Sequence, residues 1–224
     1  MEISEKYSFR FAEEILNAVP PLTELWKEIQ KSISSISDED IKNRHLEIQK
    51  KESTKSLSKA INQLLDEKLR AQNWNDQSGI FAIPEYQDGK ESTWTLDFSK
   101  STKLPNGNDS GIAVEVAFNH GEAAAWNLTK PVLAAEINDM RVQTHIGEGV
   151  GIVIVASPEL KKFGAFDGAI GDFQRYLKTL KAMRSQLTVP ILLLGLAAPA
   201  KFKVQAREQK GSPYKSGEIV PIDS

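Results

Sequence analysis

The 224 residues contain no cysteine. That excludes structural disulfides, cysteine-ligated zinc, iron–sulfur clusters and thiol catalysis. Histidine is scarce, with three residues. His45 and His145 stand in polar surroundings without ligand-like spacing, which reads as surface placement. No excess of charge of one sign exists: 28 Lys and Arg face 30 Asp and Glu, for a net charge of −2. A polybasic, histone-like protein is thereby excluded, whereas a local basic cleft would be invisible in a global sum. No run of about 18 apolar residues is present, so no transmembrane helix is expected. The opening Met1-Glu2-Ile3-Ser4-Glu5-Lys6 lacks the basic-then-apolar pattern of a secretory leader, and the expected location is the cytoplasm. No tandem repeat is visible.

The remaining composition, 40% apolar and 26% charged, is that of an ordinary globular protein. The length suits one domain. It divides into a helical N-terminal part (1–75), an α/β core (76–200) and a polar C-terminal appendage (201–224). Phe11, Ile15 and Leu16 sit at helical spacing before Pro20-Pro21, and Leu22, Leu25, Trp26, Ile29 and Ile33 continue the stripe after it. Two prolines cannot lie inside one continuous helix, so residues 8–36 are read as a broken helical region. Residues 38–56 are polar and charged. They read as a solvated helix or connection, with a phosphate-contacting basic segment as the alternative. Leu57, Ile61, Leu64, Leu65 and Leu69 mark another helix.

The period then changes. Ile80–Ile83, Thr93–Phe98 and Gly111–Phe118 read as strands, the last two separated by a loop dense in turn residues, Lys103-Leu104-Pro105-Asn106-Gly107-Asn108. Residues 122–140 read as a helix in which Pro131 permits a kink or a new first turn. Gly149–Val155 and Val189–Leu196 are near-continuous apolar strands of the kind buried on both faces. Between them a helix is marked by Ile170, Phe173, Leu177, Leu180 and Leu187. The final 24 residues carry five Lys or Arg against three acids and little periodicity. This order of elements predicts an α/β fold with a mixed central sheet flanked by helices.

Two strands carry an acid where apolar residues are expected. Strand side chains alternate faces. Ile112, Val114, Val116 and Phe118 therefore share one face, and Ala113, Glu115, Ala117 and Asn119 the other. In the preceding strand, Trp94, Leu96 and Phe98 are expected on one face and Asp97 with Thr95 on the other. A carboxylate in such a strand is costly unless it is paired or holds a metal. Paired as a hairpin, the two strands would bring Asp97 and Glu115 together as a hard-cation site suited to Mg²⁺. Ordinary sheet residues with Lys or Arg partners are the alternative.

The chain resembles the type II restriction endonucleases of the BglII and BstYI kind, within the PD-(D/E)XK nuclease superfamily. The likeness is carried by Phe11–Asn17 with Leu25–Ile29, by Ile61–Leu69 with Asn73-Trp74, by Leu96-Asp97-Phe98-Ser99-Lys100 and by Val114-Glu115-Val116-Ala117-Phe118. Val153–Val155 and Val189–Leu196 complete it. The resemblance implies a PD-(D/E)XK core and Mg²⁺-dependent cleavage of both strands of duplex DNA at a palindrome centred on GATC. It also implies a homodimer and a cognate DNA methyltransferase. Asp97 and Glu115 become the catalytic metal ligands, with Asp109 a less favoured substitute for Asp97. Asn119, His120 and Asp167 fall at base-reading positions, although Asn119 and Asp167 could equally cap helices. The sequence departs from the family pattern in its longer loop before Glu115 and at Ala117, where the family carries Gln, Glu or Lys. Glu122 and Glu136 are candidate replacements. A DNA-binding protein of nuclease fold without catalysis, or a structure-specific repair nuclease, is the alternative function. Arg175, Lys178, Lys181 and Arg184 drift around one helix and read as a solvated face.

Overall fold

The structure, a computed structural model, describes residues 1–82, 94–136, 144–208 and 215–222. Ile83, Thr93 and residues 137–140, expected in strands and a helix, lie outside that set. The chain folds as β1 (Ile3–Phe9), α1 (Ala12–Ala18), α2 (Pro20–Ser34), α3 (Asp38–Gln49), α4 (Ser58–Arg70), β2 (Asn75–Gly79), β3 (Thr95–Lys103) and β4 (Asp109–Val116). It continues with α5 (Ala124–Glu136), β5 (Val150–Ala156), α6 (Pro158–Phe163), α7 (Phe173–Ala182), β6 (Ile191–Leu196), β7 (Phe202–Glu208) and β8 (Lys215–Pro221). Six strands form one sheet in the order β1-β6-β5-β4-β3-β2. The β4-β5 and β5-β6 pairs are parallel, and the other three are antiparallel. The expected mixed α/β architecture is therefore present.

Local chemistry explains the boundaries. Pro20 and Pro21 occupy the first turn of α2, where their missing amides cost nothing. Ser37 caps α3 in a reciprocal capping box with Asp40. The apolar β5 and β6 are buried along their whole length and supply both faces of the sheet. Ile152 and Ile154 join Leu16, Trp26, Leu65 and Leu160 in one cluster, on the side of α1, α2, α4 and α6. Val153 and Val155 join Leu128, Tyr176 and Leu180 in a second cluster, under α5 and α7.

Four sequence readings are corrected. Residues 3–9 belong to the sheet: β1 is an edge strand whose alternating polar side chains hide its pairing with β6. The segment 201–224 is more than a polar appendage. It holds the two-stranded sheet β7-β8, and Phe202 and Val204 sink into the first core cluster. His45 is not a surface residue but fully buried; its Nε2 faces the Gly217 carbonyl at 3.5 Å, and burial lowers its pKa from the ordinary 6.5. Leu96 and Phe98 do not share a face, since Leu96 packs in the second cluster and Phe98 in the first. The alternation breaks across Asp97.

Candidate active site

That break positions the acidic pair. The β3-β4 ladder runs from Lys103↔Asp109 to Phe98↔Val114 and then stops. One residue further, the Asp97 side chain replaces the ladder: its Oδ2 accepts the Val116 amide at 2.7 Å. The β4 chain meanwhile continues along β5, and the Ala117 amide donates to the Ile154 carbonyl at 2.8 Å. The parting of β3 from β4 thus opens the sheet beside Asp97 and Glu115. The faces of β4 follow the expected alternation, with Ile112, Val114 and Phe118 in the first cluster and Ala113 and Ala117 in the second. Glu115 lies among the latter and is 2% exposed.

Asp97 acts on Glu115. Burial, then the neighbouring Asp97 charge, pushes the Glu115 carboxyl up to about 8 against the opposing pull of Lys130. Burial likewise raises Asp97, partly offset by the Val116 amide and by Lys130. Glu115 Oε2 accepts from Lys130 Nζ at 2.7 Å, whereas its Oε1 is buried and has no partner. A pair of crowded carboxylates with one orphaned oxygen fits a hard divalent cation, which would relieve both the desolvation and the repulsion. Among the described residues no group of three or more acidic or histidine side chains converges to hold a metal. Two carboxylates would therefore leave the remaining positions to water and phosphate oxygens, the coordination that Mg²⁺ favours.

Two further residues belong to this neighbourhood and escape the sequence reading. Lys130, on α5, is the one charged residue in the stretch Asn127–Ala135, which is apolar apart from Asn127 and Thr129. Gln77, on β2, lines a small cleft with Asn62, Asp66, Asp97 and Val116 and hydrogen-bonds Asp97. Its backbone is left-handed, with φ of 43°, an uncommon conformation for a residue other than glycine.

The alternatives fall elsewhere. Asp109 pairs with Lys103 at 2.6 Å at the far end of β4. With Glu136, His145 and Glu148 it lines a separate hollow. Glu122 and Glu136 are exposed, and neither reaches Glu115. Ala117 is 1% exposed, so the chain offers a buried methyl group where the resemblance implies a polar side chain.

Asn119 and His120 follow β4 and are exposed. Asn119 is not a helix cap. Its Oδ1 instead accepts from Asn127 Nδ2 at 3.1 Å, and Asn127 also donates to the Tyr176 hydroxyl at 2.7 Å. His120 precedes the single 3₁₀ turn Gly121–Ala123 without a side-chain cap. Asp167 does not cap α7 either: Asp172 does, accepting from the Arg175 amide, while Asp167 is exposed and ion-paired with Lys55. Arg175, Lys178, Lys181 and Arg184 are all exposed.

The fold has a solved counterpart. Over 99% of this chain and all of the other, the structure is similar to restriction endonuclease BglII complexed with a DNA 16-mer, with TM-score 0.61 and 20% identity. Free BglII is matched over the same shares, with TM-score 0.48 and 15% identity. No curated protein matches. No described helix is long and apolar enough to cross a membrane. The family model described as restriction endonuclease BglII/BglIII matches residues 4–196, most of the helical part and the whole six-stranded sheet, and the chain belongs to that family of site-specific deoxyribonucleases.

Proposed function

We propose that the protein is a Mg²⁺-dependent type II restriction endonuclease that, as a homodimer, cleaves both strands of a palindrome centred on GATC. The observation that carries the proposal is the buried, unpartnered Oε1 of Glu115 beside Asp97, at the point where β3 leaves β4. Asp97 and Glu115 would hold the cation. When bound, it would lower the pKa of an attacking water and neutralise charge developing at the phosphorus. The chain's own part is geometric. The Val116 amide fixes Asp97, the apolar cluster around Ala113 and Ala117 keeps bulk water from Glu115, and Lys130 holds one Glu115 oxygen. Asn119 and His120, exposed beyond the site strand, are suited to base edges in the major groove, where both donors and acceptors are read. Asp167 could accept from cytosine N4 once Lys55 is released. Two-fold symmetry of a dimer matches a palindromic site. A cognate methyltransferase would protect the same sequence in the cytoplasm.

The buried methyl of Ala117 supports one rival, a DNA-binding protein of this fold without catalysis. Incubation of the purified protein with long unmethylated duplex DNA and Mg²⁺ or Mn²⁺ separates the two. Discrete fragments mapping to one GATC-centred palindrome, lost in Asp97→Asn and Glu115→Gln, are the expected result. A specific gel shift in Ca²⁺ with no cleavage in either metal would favour the binding protein. Neither cutting nor specific binding would sink both.

A further inference from the structure

Lys130 is the side chain that holds Glu115, with the Asp97 backbone amide also close to the carboxylate. Lys130 Nζ donates to Oε2, and Oε1 is buried without a partner. Both side chains are nearly out of solvent, Lys130 at 11% and Glu115 at 2% exposure. A buried ion pair adds little stability, because desolvating two charges offsets their attraction; an apolar pair of similar volume often does as well or better. The stretch around Lys130 is apolar, with Leu128, Val132, Ala134 and Ala135 buried in the second cluster. An uncharged residue would satisfy the packing of α5 there, so the lysine answers to the buried Glu115 carboxylate, which would otherwise stand uncompensated. The chain after Glu115 supplies no substitute, since Ala117 is a buried methyl group. Among the described residues, Lys130 is the cation that ion-pairs with either carboxylate.

We infer that Lys130 is a positioning residue of the metal site, committing Oε2 of Glu115, leaving Oε1 as the free donor, and cancelling one of the two negative charges. The inference rests on the metal-site reading above. It has an electrostatic consequence. Once an arriving cation displaces the Glu115 proton, Asp97, Glu115 and Lys130 together carry one net negative charge, where without Lys130 they would carry two. A divalent cation is then drawn less strongly to the free protein, and its capture depends more on the phosphate oxygens that DNA brings. Lys130 thereby couples metal binding to substrate binding.

The test measures Mn²⁺ binding to DNA-free protein by the loss of the free-ion paramagnetic resonance signal, alongside single-turnover cleavage at saturating Mn²⁺. Lys130→Met and Lys130→Gln are expected to bind Mn²⁺ about tenfold more tightly, because a nearby positive charge has been removed. Their cleavage rate is expected to fall about a hundredfold while DNA affinity holds, the signature of a lost arrangement at the reacting centre. Lys130→Arg, which keeps the charge, should stay within about threefold of wild-type Mn²⁺ affinity and recover most of the cleavage. A purely structural ion pair predicts the reverse: with Glu115 loosened, Mn²⁺ binding weakens. Unchanged or weaker binding in the uncharged variants would overturn the inference. Should Lys130→Met fail to fold, Lys130→Gln and Lys130→Arg carry the same comparison. Glu115→Gln separates the two levels of argument. If it leaves Mn²⁺ binding intact, the metal-site reading fails. If it weakens binding while the uncharged Lys130 variants bind no tighter, only the assignment of Lys130 fails.

Discussion

Asp97 and Glu115 oppose folding. Desolvation raises the proton affinity of both, the Asp97 charge raises that of Glu115 further, and one Lys130 ammonium opposes the rise at each. Asp97→Asn removes the charge–charge repulsion within the pair, and the Asn side-chain oxygen can still accept the Val116 amide that Oδ2 accepts at 2.7 Å. The variant is expected to lose cleavage by about a thousandfold. In metal-free buffer it should melt about 2–4 °C higher, the shift that one kcal/mol produces in a chain of this size. Scanning calorimetry in EDTA checks it; a lower melting temperature would show that Asp97 stabilises the free protein. Ala117→Gln leads the other way. Ala117 is packed with Ala113, Ala124 and Leu128, so the longer side chain should cost about 1–3 kcal/mol by overpacking. Urea unfolding should show the loss, with no gain in cleavage. At this scale the sequence was half legible. An acid in an apolar strand is conspicuous, and Asp97 and Glu115 stand out for that reason. Lys130 carries the same signal, a lone charge among mostly apolar residues, but its link to Glu115 depends on how α5 packs on the sheet, which residue type does not reveal. Gln77 gave no signal at all, because its role depends on a left-handed backbone that residue type does not reveal.

At the scale of elements, the reach of Lys130 depends on how closely α5 lies against β5. Pro131 stands inside the helix, and Gly151 faces it on the strand. A Cβ on Gly151 would meet Pro131 Cβ at 2.6 Å, closer than packed carbons approach. Gly151→Ala must therefore lift α5 and move Lys130 relative to Glu115. We expect a loss of about 1–3 kcal/mol and a drop in cleavage of at least about tenfold, since small displacements at a reacting centre are costly. Gly168→Ala, where an added Cβ meets nothing within 4 Å, should change stability by no more than about 0.5 kcal/mol. Equal effects at both glycines would remove the close helix–strand contact from the explanation. The same elements show where pattern reading succeeds and where it fails. Strands β5 and β6 were plain because they are apolar throughout, and the α1/α2 break because two prolines leave no other option. Strand β1 escapes pattern reading because Ser4, Glu5, Lys6 and Ser8 dilute its apolar character at the sheet edge, and α6 because six residues make less than two turns.

Across the whole molecule, the segment after β6 behaves as a clip. Asp38 Oδ2, at the start of α3, accepts the amides of Ala200 and Lys201, and Gln49 at its end donates to the Gly217 carbonyl at 2.6 Å. Phe202 and Val204 are 4% and 5% exposed. Their burial contributes about 3–6 kcal/mol, a large part of the roughly 5–15 kcal/mol that holds a domain together. Deleting residues 201–224 is expected to abolish the cooperative thermal transition followed by circular dichroism. A truncated chain that melted like the full one would restore the view of a mere appendage. A polar composition with five cations conceals this clip, because few of its described side chains, Phe202, Val204 and the partly buried Ile219, pack on the core. His45 lies beneath the same hairpin and makes its hold depend on pH. Burial lowers the pKa of the folded ring below its ordinary 6.5. Above pH 6.5 the ring is neutral in both the folded and the unfolded chain, and it adds no pH dependence. Below that pH the unfolded chain takes up a proton that the folded chain refuses until its own lower value is reached. Stability therefore falls with falling pH through that interval, by up to about 1.4 kcal/mol per pH unit. His45→Leu removes the titrating ring while keeping the site apolar. Urea unfolding at pH 7.5 and 5.5 should show the wild-type difference shrinking by about 1 kcal/mol in the variant. An unchanged difference would place the proton uptake on another group.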